Sequence, residues 1–327
     1  MVKQGVCEDP TKKGFLIYRN VWNYLRENIA VLALIIVVLI FGITAGSNFL
    51  SLRNLANIGR QSAVIIILAC GMTMVIVSAN IDLSVSSTLS LSAMIGAMVV
   101  SATSSVLLGV FAGLTIGVVV GLLNGILVTK GKIPSFLATL GMMGVVRGIA
   151  MMVTETKPVV IYEQKFWSAL GDGDLFGFLP VPIFWTIVVL IVTVFILRFT
   201  SLGRYIYATG GNQEAARFTG VKTEKTIIIS FVIMGLLSSF GGLILASRMH
   251  AARPGTGEGM EMDVIAAVIL GGTSLFGGKG TIIGSLVGAL VIAALNNGLI
   301  IVGYGTHMQM LVRGMVIILA VLFVKNK

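Results

Sequence analysis

The sequence predicts an all-α integral membrane protein of about ten transmembrane helices. Three observations carry that expectation. Of 327 residues, 56% are hydrophobic and only 11% are charged, with a mean hydropathy of +1.01. A soluble chain needs about a quarter of its residues charged to clothe its surface. The apolar residues also come in blocks: 29–46, 62–79, 105–129, 181–197, 226–247 and 281–302 carry no formal charge. About 20 apolar residues rising 1.5 Å each cross a hydrocarbon layer of about 30 Å. Finally, the blocks lack the period-two alternation of barrel strands, so the spanning element is a helix.

Taken in order, spans are expected near 29–46, 62–79, 85–102, 105–129, 134–154, 181–198, 226–247, 263–276, 281–302 and 309–324. The third follows a polar break, Asn80-Ile81-Asp82-Leu83-Ser84, and the eighth is short, so either reads as half of a discontinuous helix. The first apolar run is long enough to span and follows 28 mixed-charge residues, which argues for a retained helix and against a cleaved signal. Residues 1–28 are thus expected as a cytoplasmic tail, and 29–327 as one transmembrane domain with a cytoplasmic loop at 199–225.

The formal charge of +10 would suggest nucleic acid in a soluble protein. Here it follows more simply from the concentration of Lys and Arg in cytoplasmic loops. With ten spans and both ends inside, Lys130, Lys132, Arg204, Arg217, Lys222, Lys225, Lys279, Lys325 and Lys327 fall on one side together with the basic tail. The acid-leaning segment 155–180 falls on the other. Arg53, Arg60, Arg248 and Arg253 resist this assignment. Cys7 and Cys70 are too far apart in sequence and context to suggest a disulfide framework or a metal cluster.

A faint repeat relates Leu123-Asn124-Gly125, followed by Arg147-Gly148, to Asn297-Gly298-Leu299, followed by Arg313-Gly314. With spans 2–5 and 7–10 as its copies, their first helices run in opposite directions, the inverted plan common among transport proteins. Gly109, Gly113, Gly117, Gly121 and Gly125 recur every fourth residue, which places them on one helical face for close packing.

In the loop after span six, Asn212 suits an N-cap, Glu214 falls in the first turn where a carboxylate favours the helix dipole, and Gly220 suits a stop. A helix of about two turns is expected there. Being too short to stand alone, it must pack on its own bundle or on a cytosolic partner. Gly277-Gly278-Lys279-Gly280 is no phosphate loop, because Thr273 and Gly280 stand where that motif needs Gly and Ser or Thr. His250 and His307 form no known catalytic pattern, so neither an enzyme active site nor a metal or cofactor site is expected.

Glu214-Ala215-Ala216, followed after three residues by Gly220, resembles the EAA-x3-G loop of ABC import permeases, although the Ile-x-Leu-Pro ending is missing. The chain as a whole resembles the ribose/xylose/galactose-type permease family, through residues 78–84, 131–141, 203–220 and 264–278. That resemblance implies the bacterial inner membrane, a second permease subunit, a separate ATPase and a periplasmic or lipid-anchored sugar-binding protein. It also implies an ATPase-docking role for Asn212, Glu214, Ala215, Ala216, Arg217 and Gly220. The alternative is a secondary transporter of a small neutral solute driven by an ion gradient; it would suit the repeat but has no use for the loop.

Candidates for the substrate path are Asn80, Asp82, Ser84, Asn124, Asn296 and Asn297, polar groups set in apolar surroundings. Asp82 has two readings, lining the path or capping the third span. Asn296 and Asn297 either bond between helices or read sugar hydroxyls. Arg147 and Arg313 are structural anchors or path-lining donors.

Overall fold

The computed structural model describes residues 29–175, 177 and 179–324. The expected tail 1–28, Lys325 and Lys327 lie outside the described residues, as does the side chain of Arg313. Fourteen helices are described: α1 Ile29–Thr44, α2 Ser47–Leu50, α3 Leu52–Val77, α4 Val85–Thr103, α5 Val106–Thr129, α6 Ser135–Thr154, α7 Gln164–Leu170, α8 Val181–Phe199, α9 Ser201–Gly211, α10 Gln213–Phe218, α11 Thr223–Met249, α12 Met260–Leu270, α13 Ile282–Ile301 and α14 Thr306–Val324. Two minimal antiparallel pairs supplement them: β1 (Val159–Val160) with β4 (Ala251–Ala252), and β2 (Asp174–Leu175) with β3 (Leu179–Pro180). Among the described residues seven helices, α3, α4, α5, α6, α8, α11 and α13, are long and apolar enough to cross a membrane.

Three expectations are corrected. The second span begins ten residues earlier than its apolar run, because Ser51 caps α3 by accepting from Asn54 N–H at 3.2 Å. Its polar first turns are absorbed by protein: buried Asn54 donates to Phe49 O (2.8 Å) and to Asn297 Oδ1 (2.9 Å). The third span is a continuous 19-residue helix, α4. The eighth is the short, discontinuous element expected, and only its bounds change. α12 has 11 residues, about 16 Å of rise, and it ends at Gly271 rather than 276. Left-handed turns at Gly272, Gly277 and Gly278 then carry the chain on to α13.

Two central helices organise the rest. α3 and α11 lie against each other; α11 packs on α4 and α5, whereas α3 packs on α12 and α13. α3 is apolar nearly all round, as a helix enclosed by others must be, with Ile67, Leu68, Met72, Met74 and Ile76 fully buried. Inside a bilayer, water does not drive such contacts; close van der Waals packing does. The glycine face of α5 supplies it. Gly109 and Gly113 press against the α4 backbone at Gly96 and Ser92, and Gly117, Gly121 and Gly125 against α11 at Gly235, Phe231 and Ile228.

The bundle has two ends. α9, α10 and the starts of α6 and α11 share one face. Thr103, Thr154, Met249 and the β1–β4 pair share the opposite face. There the anomalous arginines find partners: Arg60 pairs with Asp174 at 3.0 Å, and Arg248 donates to Arg60 O at 2.9 Å. From β4 the chain turns back into the bundle, where Ser90 of α4 donates to Arg253 O (3.0 Å) and Pro254 O (2.7 Å). Irregular backbone inside a membrane persists only where protein satisfies it, and this serine does so.

Candidate functional site

The loop after α8 folds as its capping residues dictate. Asn212 Oδ1 accepts Ala215 N–H at 2.9 Å and starts α10. Gly220, at φ +87°, ends it, while Val221 N–H returns to Ala216 O at 3.0 Å. Gln213, Glu214, Ala215, Arg217 and Phe218 are exposed, Phe218 to 90%, but Ala216 is buried against the bundle. The outward surface is therefore made by Glu214, Arg217 and Phe218. Phe218 had no periodic signal to mark it in the sequence.

Two attachments hold α10. Glu224 on α11 bridges Arg217 of α10 (3.3 Å) and Lys130 after α5 (2.9 Å). Exposed pairs of this kind are screened by solvent, so they orient more than they stabilise. The second attachment is α9, an 11-residue helix within a segment read as loop. Its glycines look like breakers but are close contacts: Gly203 on Leu197 and Gly210 on Val77. Tyr207 Oη donates to Gly280 O at 2.6 Å, and burial raises its phenol above the ordinary value. Gly278 N–H meets Val77 O at 2.9 Å. α10 is thus joined, through α9, to the end of α3 and to the link that follows the broken helix α12.

The path candidates do not converge. Asp82, Ser84 and Asn124 form one buried cluster. Asp82 Oδ1 accepts from Ser84 N–H (2.8 Å) and Ser84 Oγ (2.6 Å), and Ser84 Oγ accepts from Asn124 Nδ2 (2.8 Å). The break around them is satisfied from α6, where Ser135 Oγ accepts Ile81 N–H (3.2 Å) and Thr139 Oγ1 accepts Leu83 N–H (3.0 Å). Asn80 instead borders a cavity of about 640 Å³ lined also by Lys132, Ser135, Gln213, Arg217 and Glu224, next to α10. Asn297 lies near the opposite end, bonded to Asn54. Asn296 Oδ1 has no partner among the described residues.

Asp82 does not cap α4 itself, whose N-cap Ser84 makes no side-chain cap bond; it closes the turn just ahead of the helix by accepting from Ser84. Asp82→Asn, which keeps an acceptor at the same place, is expected to melt close to the parent protein in detergent, whereas Asp82→Ala loses about 1 kcal/mol or more. Uptake lost equally in both variants at unchanged melting temperature would assign Asp82 to the path instead.

With seven membrane-length apolar helices among the described residues, the chain is a multi-pass membrane bundle. Residues 54–321 match the family described as the branched-chain amino acid transport system / permease component, and the chain belongs to that family. It is 41% identical over 320 residues to a ribose import permease protein of Escherichia coli (strain K12), covering 97% of this chain and 98% of that one. To a ribose import permease protein of Bacillus subtilis (strain 168) it is 42% identical over 297 residues, covering 90% and 92%. To an L-arabinose transport system permease protein of E. coli (strain K12) it is 38% identical over 280 residues, covering 86% and 85%. No solved structure matches.

Proposed function

We propose that this chain is the membrane-spanning subunit of an ATP-driven ABC importer for a monosaccharide, D-ribose or a similar pentose or hexose. It works as a pair with an identical or homologous permease. A separate ATPase docks on α10, and a periplasmic or lipid-anchored binding protein delivers sugar at the opposite face. α10 and both termini lie in the cytoplasm of a bacterial cell, and the multi-pass bundle lies in the inner membrane. α1, the broken α12 and α14 complete ten crossings. The crossed packing of α3 on α12 and α13, and of α11 on α4 and α5, supports an inverted repeat of α3–α6 and α11–α14.

One observation carries the coupling part of this reading: a capped helix of six residues, exposed on its outer side and fastened through α9 to a broken membrane helix. A secondary transporter has no motor to meet such a handle. The monosaccharide rests on full-length relatives named for sugars, against a family description that names branched-chain amino acids.

Proteoliposomes containing this chain, its ATPase and its binding protein are expected to take up D-ribose only when ATP and the binding protein are both present. Uptake driven by an ion gradient without ATP would favour the secondary transporter, and preferential uptake of L-leucine would replace the sugar.

A further inference from the structure

The segment between β4 and α12 places charge where a lipid-facing surface cannot hold it. Ser90 lies thirteen residues from the end of α4 at Thr103, about 20 Å below the opposite face, and it holds the carbonyls of Arg253 and Pro254. Arg147 lies seven residues from the end of α6 at Thr154, about 10 Å below the same face. Its Nη1 meets Glu258 Oε1 at 2.9 Å. Arg253, Glu258 and Arg147 therefore occupy the middle third of a layer about 30 Å thick.

They are not enclosed. The Glu258 side chain is 64% exposed and that of Arg147 is 25% exposed, and Arg253 is exposed as well. Beside them on α6, Gly144 and Gly148 have open space where a Cβ would stand, with nothing within 4 Å. An ionised side chain against hydrocarbon costs several kcal/mol, so exposed charge at this depth faces water or protein. The bundle itself provides neither over these groups.

We propose that Arg147, Arg253 and Glu258 line a water-filled passage at mid-membrane and form a subsite for the hydroxyls of the transported solute. The proposal rests on the sugar-permease reading above. A hydroxyl both donates and accepts. A guanidinium offers up to five N–H donors in a fixed fork, and an ionised carboxylate offers only acceptors. Adjacent sugar hydroxyls can bridge the Arg147–Glu258 pair without leaving either charge unpaired, while Arg253 adds donors from the re-entrant segment. Because the pair is neutral as a unit, it binds weakly enough to release its cargo.

The test uses the complete transporter in proteoliposomes, with Cys7→Ser as background. Glu258→Cys and Arg253→Cys are expected to react with a charged, membrane-impermeant thiol reagent, at least threefold more slowly in saturating D-ribose. Val145→Cys, on the apolar exposed side of α6, is expected to stay unreactive. Glu258→Gln and Arg147→Gln should move at least fivefold less ribose per ATP hydrolysed, with Arg147→Lys intermediate and the ATPase still bound. Glu258→Cys as inert as Val145→Cys would overturn the passage. Labelling indifferent to ribose, or parental ribose per ATP in Glu258→Gln, would overturn the subsite. If the parent transporter moves no ribose with ATP and binding protein present, the sugar reading fails separately, and labelling still decides the passage.

Discussion

Gly117→Leu is expected to prevent recovery of a monodisperse protein from the membrane, whereas Gly141→Ala should be recovered like the parent. At Gly117 an added Cβ meets the carbonyl of Gly235 and the Ser239 hydroxyl, and Gly235 meets Gly117 in return. The Gly235 atoms are backbone of a second long helix, so turning the Ser239 hydroxyl aside does not relieve the contact. Overpacking a well-packed interior costs about 1–3 kcal/mol when side chains can yield, and more is expected where they cannot. At Gly141 a Cβ meets nothing within 4 Å, and Ala has the better helix propensity by about 1 kcal/mol. Size-exclusion profiles and melting temperatures of the two variants check this. A well-behaved Gly117→Leu protein would mean that α5 and α11 are not in backbone contact.

The second large effect concerns the coupling helix. Phe218→Asp is expected to weaken retention of the ATPase at least 30-fold, corresponding to about 2 kcal/mol, while the permease alone melts unchanged. The side chain is 90% exposed, so its removal costs the free permease almost nothing, while a partner docked on α10 would bury it. Glu214→Arg should act in the same direction through the outward charge. Ala216→Trp belongs to a different class: Ala216 is buried, so a large ring there should lower the melting temperature of the permease itself. Co-purification after mild detergent extraction, beside melting of the isolated permease, separates the two classes. Full ATPase retention in Phe218→Asp would move the docking surface away from α10.

Much of this organisation was legible in the residues. Cap and stop residues act within one turn, so Asn212 and Gly220 marked α10 correctly. The four-residue spacing of the α5 glycines marked a packing face. What escaped had its cause elsewhere in the fold. Gly203 and Gly210 looked like helix breakers, yet they sit inside α9 because Leu197 and Val77 approach too closely for any Cβ. Asn54 and its neighbours looked like a loop, yet α3 begins there because Asn297, 243 residues away, receives the Asn54 amide. The end of the eighth span was misplaced because Gly277 and Gly278, in left-handed turns, pack on Ala79, Gly210 and Gly211 from other segments.

By itself the sequence determined that this chain is a bundle of apolar helices with a capped handle on one face. Length, hydropathy and capping are local quantities, and the bilayer or the nearest turn enforces each. Only the tertiary structure decided which polar groups meet. It buried Asp82 with Ser84 and Asn124, turned Ala216 inward and Phe218 outward, and brought Glu258 to Arg147. A polar group in an apolar medium is governed by its partner, and in this chain the partners stand on other helices.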